Sequence, residues 1–329
     1  MNNLSIQRRQ FLTSLVGAAA VSSLPRWAYA QAAYPNKPVR VIVPFAAGGT
    51  TDVVARLIMQ KVGELMKASF VIENKGGANG IIGTGEVARA AADGYTLLFN
   101  TAGAQTLSPV IYKAPYEAAA SFAPVARVCD VGFIVIVRKD LPVKNMADLI
   151  ALARKADKPL AASSGSSMIN LITEQFKRVI DAPNVTNVQY KGTSLQMQAV
   201  ASGEVDFSFD SFAAVELIKA GRVKALAVIL PQRAGSFPDV PTFKELGIKD
   251  MEFNSWAGLL APKGTPKEIV TALAQNVEKA KQMPDVVAKL KQYDYVMANS
   301  TPDTFGKEIQ AETDRWKQVV KETNFKIES

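Results

Sequence analysis

The 329-residue sequence contains no histidine and a single cysteine, Cys129. An intramolecular disulfide is therefore excluded, and so are the common zinc sites assembled from His and Cys. Without histidine the usual general base is missing, and with it the Ser-His-Asp and Cys-His arrangements of nucleophilic catalysis. Cys129 sits in the largely apolar stretch 125–137, where a small buried apolar side chain is its expected role. No run of about 20 apolar residues follows the N-terminal segment, so no membrane-spanning helix is expected there. No G-x-G-x-x-G occurs, and no Gly-Lys-Ser/Thr follows a Gly-rich loop, which excludes the dinucleotide fingerprint and the Walker A loop. Repeats and low-complexity tracts are also absent.

What remains is an ordinary globular composition, 48% hydrophobic and long enough for two compact lobes with separate cores. The net charge of +8 falls by three to +5 once Arg8, Arg9 and Arg26, which lie in an acid-free leader, are set aside. The basic residues are scattered rather than clustered. That pattern argues against nucleic-acid binding and leaves a mild positive field that favours anions.

Residues 1–30 have the layout of a secretory signal. A polar start holds Arg8 and Arg9, a weakly apolar stretch runs from Phe11 to Leu24, and Ala28-Tyr29-Ala30 precedes Gln31 as an A-x-A cleavage site. The run Gln7-Arg8-Arg9-Gln10-Phe11-Leu12 is similar to the twin-arginine export motif, with Thr13 where that pattern often has Lys. A Sec leader that carries two arginines is the other reading. No cysteine follows the cleavage site, so no lipid anchor is expected. A periplasmic location follows from export without an anchor.

Beyond the leader, short β-branched runs alternate with amphipathic segments. The run from Pro38 to Pro44 reads as a buried strand, followed by the loop 45–52 and a helix carrying Val54, Leu57, Ile58, Val62, Leu65 and Met66 on one face. A strand over 69–73, a Gly-rich turn over 74–80, a helix over 83–92 and a strand over 95–100 complete an α/β lobe with a mostly parallel sheet. The middle of the chain repeats the pattern, with strands at 133–137, 160–162, 186–190, 205–209 and 225–229, interleaved with helices at 147–155, 169–180, 195–202 and 213–220. A strand near 256–260 returns the chain to the first lobe, and the helical C-terminal part packs outside it. Thr265-Pro266-Lys267-Glu268 has the form of a capping box, and Thr301-Pro302 starts the last helix in a similar way.

Two Gly-rich loops lie at the C-terminal ends of strands in the first lobe, where open α/β sheets bind ligands. Gly48 and Gly49 allow close backbone approach, and the helix starting near Thr51 turns its positive end to the same place. Gly77, Ala78, Asn79 and Gly80 form a second donor set. In the other lobe Ser163, Ser164, Ser166 and Ser167 surround Gly165 at another helix start. Each loop alone reads equally as a tight turn. Three of them, two in one lobe and one in the other, point to a shared cleft for carboxylates.

The residues from about Tyr34 onward resemble the extracytoplasmic solute receptors of tripartite tricarboxylate transporters, the Bug-type binding proteins. The resemblance is carried by the opening block from Tyr34 to Asp52, then by 74–78, 93–97, 190–192, 221–228, 237–242 and 261–266 in the same order. It implies an α/β, two-lobed type II periplasmic-binding-protein fold with a ligand cleft between the lobes. Lobe 1 is expected over 31–131 and 254–329, and lobe 2 over 132–253. It implies ligand contacts from Phe45, Ala46, Ala47, Gly48, Gly49 and Asp52 of the first loop, and from Ala78 and Asn79 of the second. Ser164, Ser166 and Ser167, with Asp210 and Ser211 after a later strand, are implied from the other lobe. Asp52 can equally order its own loop as a helix N-terminal residue. The sequence departs from the family's Arg-Pro-Gly-Ala-Gly-Gly at Lys75 to Gly80, and has Asn170 where a His is frequent.

The resemblance implies a small carboxylate ligand and membrane transporter subunits as partners, a monomer, no cofactor, no metal, no nucleic acid and no catalytic residue. Two other readings share the cleft: a partner that presents ligand to a membrane kinase, and a periplasmic enzyme on the same fold. N-terminal sequencing of exported protein should find Gln31 as the first residue. Replacing Arg8 and Arg9 with Lys should block export by the twin-arginine route; normal export of that variant assigns a Sec leader.

Overall fold

The computed structural model describes residues 34–155, 159–253 and 255–323; the leader expected over residues 1–30 lies outside the described residues. The described residues from Lys37 onward form one compact unit built on two sheets.

The first sheet opens with β1 (Val39–Val43), whose side chains are buried except for Arg40. A continuous β-branched run suits a strand flanked on both sides and covered on both faces. Beside it run β2 (Phe70–Asn74) and β3 (Thr96–Thr101), both parallel to β1. The helix α1 (Thr50–Met66) buries Val54, Ala55, Ile58, Met59 and Val62, while Leu65 stays exposed. A 3-10 turn at Ala78–Gly80 leads into α2 (Ile81–Ala88). After β3 the chain makes a π-helical turn, Gly103–Leu107, and the short α3 (Ser108–Ile111). Then β4 (Phe122–Val131) enters the sheet.

At Gly132 the chain leaves this sheet and begins β5 (Phe133–Arg138) in the second. The second sheet gathers β6 (Ala161–Ser164), β7 (Thr186–Gln189), β8 (Phe207–Asp210) and β9 (Val223–Ile229) in the order β7-β6-β8-β5-β9. Only β5 runs against its neighbours there. Its helices are α4 (Met146–Ala153), α5 (Ser167–Val179), α6 (Thr193–Ser202) and α7 (Val215–Lys219). Residues 230–254 carry the chain back to β10 (Ser255–Pro262), which is buried along its whole length between β3 and β4 and antiparallel to both. The two passages lie side by side, since Ser255 at the start of β10 pairs with Val131 at the end of β4; Gly132 itself abuts the Leu230 side chain, so no larger residue fits there without displacing it.

The C-terminal elements are α8 (Lys267–Lys281), α9 (Pro284–Gln292), β11 (Val296–Met297) and α10 (Pro302–Thr323). They cover the first sheet, as the sequence suggests: α8 packs on α1 and β4, and α10 on β4 through buried Phe305, Ile309 and Trp316. Trp316 Nε1 donates to Thr106 Oγ1 at 3.2 Å, and Phe305 meets Trp256 edge-on at 4.8 Å.

The structure departs from the sequence reading in places. The first sheet is mixed rather than mostly parallel, because β10 and β11 run against β4. The strand β4 was not expected. Pro124, Arg127 and Asp130 interrupt its apolar pattern, and two register shifts against β10 absorb the irregularity. No capping box forms at residue 265: Thr265 Oγ1 donates to Pro262 O at 2.8 Å, and α8 has no side-chain cap. At the last helix Thr301 does cap, exchanging bonds with Thr304, whose N–H donates to Thr301 Oγ1 at 3.2 Å. Cys129 is buried and its thiol is pushed up to about 12 by burial, consistent with a packing role.

The second lobe's core is held by rings. Phe176 packs edge-on against Phe207, Phe209 and Phe243 at 6.0, 5.3 and 6.3 Å. Phe176→Ala should therefore cost about 3–5 kcal/mol, read as a lower urea midpoint with an unchanged slope.

Candidate functional site

The C-terminal ends of β1 and β3 in one sheet face the loops after β6 and β8 in the other, and a cleft lies between them. Its inner chamber, about 50 Å³, is walled by Phe45, Ala46, Gly49, Thr50 and Thr51 on one side and by Ser166, Met168, Thr193 and Ser211 on the other, with Tyr295 from the C-terminal part. Eight of its lining side chains carry hydroxyls and none is charged.

Three helices start at this chamber. The helix α1 follows Gly49 and α6 follows Gly192, both without a side-chain cap; α5 follows Ser166, whose Oγ accepts from Ile169 N at 3.3 Å. The first N–H groups of a helix have no partner within it, and the aligned peptide dipoles make that end positive. Each start is worth roughly 0.3–1 kcal/mol to an anion at an exposed site, more when partly buried. Neutral donors thus converge from both lobes on one space.

Asp52 orders the first loop. Its carboxylate accepts from Gly48 N, Arg56 Nε and Asn74 Nδ2 at 2.9, 3.0 and 2.9 Å. Asn74 also donates to Phe45 O at 3.1 Å, tying the loop to β2. Burial by itself would raise this carboxyl, but Arg56 and the Gly48 and Asn74 donors outweigh it and hold it below the usual carboxylate range. The Gly48 amide is therefore engaged by Asp52. Gly48 has φ +78°, a left-handed conformation that a side chain strains, whereas Gly49 has φ −77° and any residue could adopt it. At Gly49 a Cβ would make only ordinary contact, 3.5 Å from Ala46 O, so what a larger side chain would change there is the chamber wall itself.

The remaining residues expected from the sequence divide into groups. Phe45, Ala46, Gly49, Ser166 and Ser211 line the inner chamber. Ala78 and Asn79 line a separate outer chamber of about 180 Å³ with Phe45, Gly165 and Lys191. Asn79 has φ +53°, a region that asparagine tolerates, and its Nδ2 donates to Tyr112 OH at 2.7 Å. Ala47, Gly48, Asp52, Ser164, Ser167 and Asp210 line neither chamber. Ser164 Oγ donates to Asn187 Oδ1 at 2.6 Å, and Asn187 Nδ2 donates to Asn170 Oδ1 at 2.7 Å, so Asn170 stands two bonds behind the loop. Lys75 Nζ binds Glu86 at 2.7 Å and faces away from any ligand role.

Several of these residues join the lobes. Ser167 Oγ meets Ser108 Oγ at 2.6 Å, and Ser211 Oγ meets Thr50 Oγ1 at 3.3 Å. Tyr295 OH donates to Ser211 O at 2.5 Å. Sequence reasoning missed Thr50, Thr51, Thr193 and Tyr295. The threonines directly follow the Gly-Gly and Lys-Gly turns that open α1 and α6, a signal that was available. Nothing near Tyr295 in the sequence marks it.

Residues 54–325 match the family described as the tripartite tricarboxylate transporter family receptor. The chain belongs to that family. BugT of Bordetella pertussis is 33% identical over 302 residues, covering 89% of this chain and 91% of BugT. Among solved structures, MatC from Rhodopseudomonas palustris with bound malate superposes with a TM-score of 0.83 at 31% identity, covering 87% of this chain and all of that one. An R. palustris protein solved with adipate gives a TM-score of 0.83 at 35% identity, covering 88% and 97%. The two-lobed periplasmic-binding-protein fold and the receptor family expected from the sequence are both borne out.

Asp52→Ala should free the Gly48, Asn74 and Arg56 donors and cost about 1–3 kcal/mol at pH 7. Because this carboxyl is held low, its contribution is present above the ordinary carboxylate range and is lost as pH falls through its depressed value. The gap between variant and wild type in chemical denaturation should close on acidification.

Proposed function

We propose that this receptor works in the periplasm, capturing a small carboxylate between its lobes and delivering it to the membrane subunits of a transporter. One observation carries the reading: three helix N-termini from two lobes converge on a chamber lined by hydroxyls and lacking any charged side chain. Such a site suits an anion that must be bound and released, since neutral dipoles stabilise the charge without a fixed ion pair. The relatives solved with malate and adipate support carboxylates as the class.

In this reading the 45–49 loop and Thr50 hold one carboxylate, while Ser166, Thr193 and Ser211 close on it from the second lobe. Ala78 and Asn79 reach the part of a longer ligand that enters the outer chamber. Ala47, Gly48, Asp52, Ser164, Ser167 and Asp210 act from behind by shaping those walls. Lobe 1 comprises 31–131 and 254–329, and lobe 2 comprises 132–253. The leader, cleaved after Ala30, accounts for the location; among the described residues no helix is long and apolar enough to cross a membrane.

The receptor acts as a monomer and without catalysis. Asp52 is committed to its loop, the Tyr295 hydroxyl is given to the Ser211 carbonyl, and no carboxylate or lysine lines the inner chamber to activate a bound molecule.

A thermal-shift screen of mono-, di- and tricarboxylates should find compounds that raise the melting temperature. Saturation at 100 times Kd contributes about 2.7 kcal/mol. Gly49→Val, which projects a side chain at the chamber wall, should remove the shift while circular dichroism stays native. Stabilisation by neutral sugars alone, or an unaltered shift in Gly49→Val, would sink this reading.

A further inference from the structure

Asp210 ends β8, one residue before Ser211 of the chamber wall. It is fully buried. Its Oδ2 accepts from Ala214 N at 2.9 Å, and the nearby Ala213 and Ser211 N–H groups also favour its charged form. Its Oδ1 has no partner, the one buried side-chain polar atom in that state among the described residues. Buried acceptors are nearly always satisfied, so an orphaned carboxylate oxygen calls for an explanation.

Among the described residues no cation pairs with this carboxyl. On β5, the strand beside β8, Ile134 stands opposite, and on β6 the nearest pairings are Ala162 with Phe207 and Ser163 with Ser208. The titratable groups that face it are Tyr295, which donates to the Ser211 carbonyl, and Cys129 beyond Tyr295. Burial pushes both upward, so both are neutral at physiological pH. Burial likewise pushes Asp210 up, to about 6, against the pull of its three N–H donors. Ser211 and Tyr295 thus have the chamber on one side and Asp210 on the other.

We propose that capture of an anionic ligand in the inner chamber is coupled to uptake of one proton from solvent by Asp210. This rests on the carboxylate reading above. A ligand charge placed against Ser211, the residue next to Asp210, raises the cost of a second negative charge behind the wall. Protonation removes that repulsion and keeps the Ala214 bond on Oδ2. By linkage, a proton held more tightly in the complex strengthens binding wherever the free protein would have released it. Affinity is highest below about pH 6 and falls as pH rises from there to the value of the complex. The receptor then carries its anion together with a proton, with the ligand's charge partly cancelled.

The experiment is calorimetric titration of wild-type protein with malate, succinate and adipate in two buffers of different ionisation enthalpy. A parallel pH titration of the free protein follows the Asp210 carboxyl carbon by NMR, assigned by its loss in Asp210→Asn. The free carboxyl should titrate well above an ordinary aspartate. A binding probe should take up a fraction of a proton near pH 7 and weaken at least about threefold between pH 6 and pH 8. In Asp210→Asn both effects should vanish. Binding without proton uptake, uptake that persists in Asp210→Asn, or an ordinary free-protein titration each overturns the proposal alone. Failure of all three probes to bind overturns the carboxylate reading and this proposal together. If Asp210→Asn does not fold, Asp210→Ser takes its place in both measurements, and absence of proton uptake by the wild type overturns the proposal by itself.

Discussion

Holding a charge out of water without an opposite charge is the constraint on which this structure depends. The inner chamber has no lysine or arginine on its wall. An anion there can be stabilised only by oriented dipoles, which must be fixed before it arrives, because each mobile donor would lose entropy on binding. Much of the architecture serves that fixation. Each of the three helix starts follows a strand of a buried sheet, and each is set by a residue that allows a sharp entry: Gly49, Ser166 or Gly192. Asp52 clamps the loop before α1 from below, so its shape does not depend on ligand. The donors come from two bodies, so the site is complete only when the bodies meet. Affinity and closure are therefore one event rather than two.

The same arrangement explains why charged residues near the cleft are turned elsewhere. Lys75 is held by Glu86 and Glu73, and Arg56 by Asp52. Those pairs are partly exposed and add little stability individually. Their effect is to keep cations off the inner wall, where a permanent partner would make release slow. Asp210 is the exception among the acids, buried with an oxygen unpartnered directly behind that wall.

Much of this could be read from the sequence where local and global preferences agree. The run 39–43 is β-branched and its strand is flanked on both sides, and the serine loop expected at a helix start does lead into α5. The loops at 45–52 and 163–167 were visible because small residues recur at strand-to-helix junctions in both lobes, where one such loop alone reads as a turn. The pattern failed where tertiary pairing overrides it. Strand β4 is polar at Arg127 and Asp130, because those side chains bond each other and Arg127 also reaches Glu308 on α10. Which serine faces ligand and which faces the other lobe was not legible either. Ser166 and Ser167 are adjacent, yet one lines the chamber and the other bonds Ser108. A one-residue step around a helix start decides that, and the partner lies 59 residues away.

The pairing of Ser255 with Val131 has a mechanical consequence. Two separate connections between rigid bodies allow both swing and twist, depending on how far apart they sit. Here the passage out of the first sheet at Gly132 and the return into it at β10 lie side by side on neighbouring strands. Val131, Phe133 and Ser255, which flank those passages, also line the inner chamber. The pivot is thereby part of the wall a ligand touches, and any turn of the bodies about it reshapes that wall.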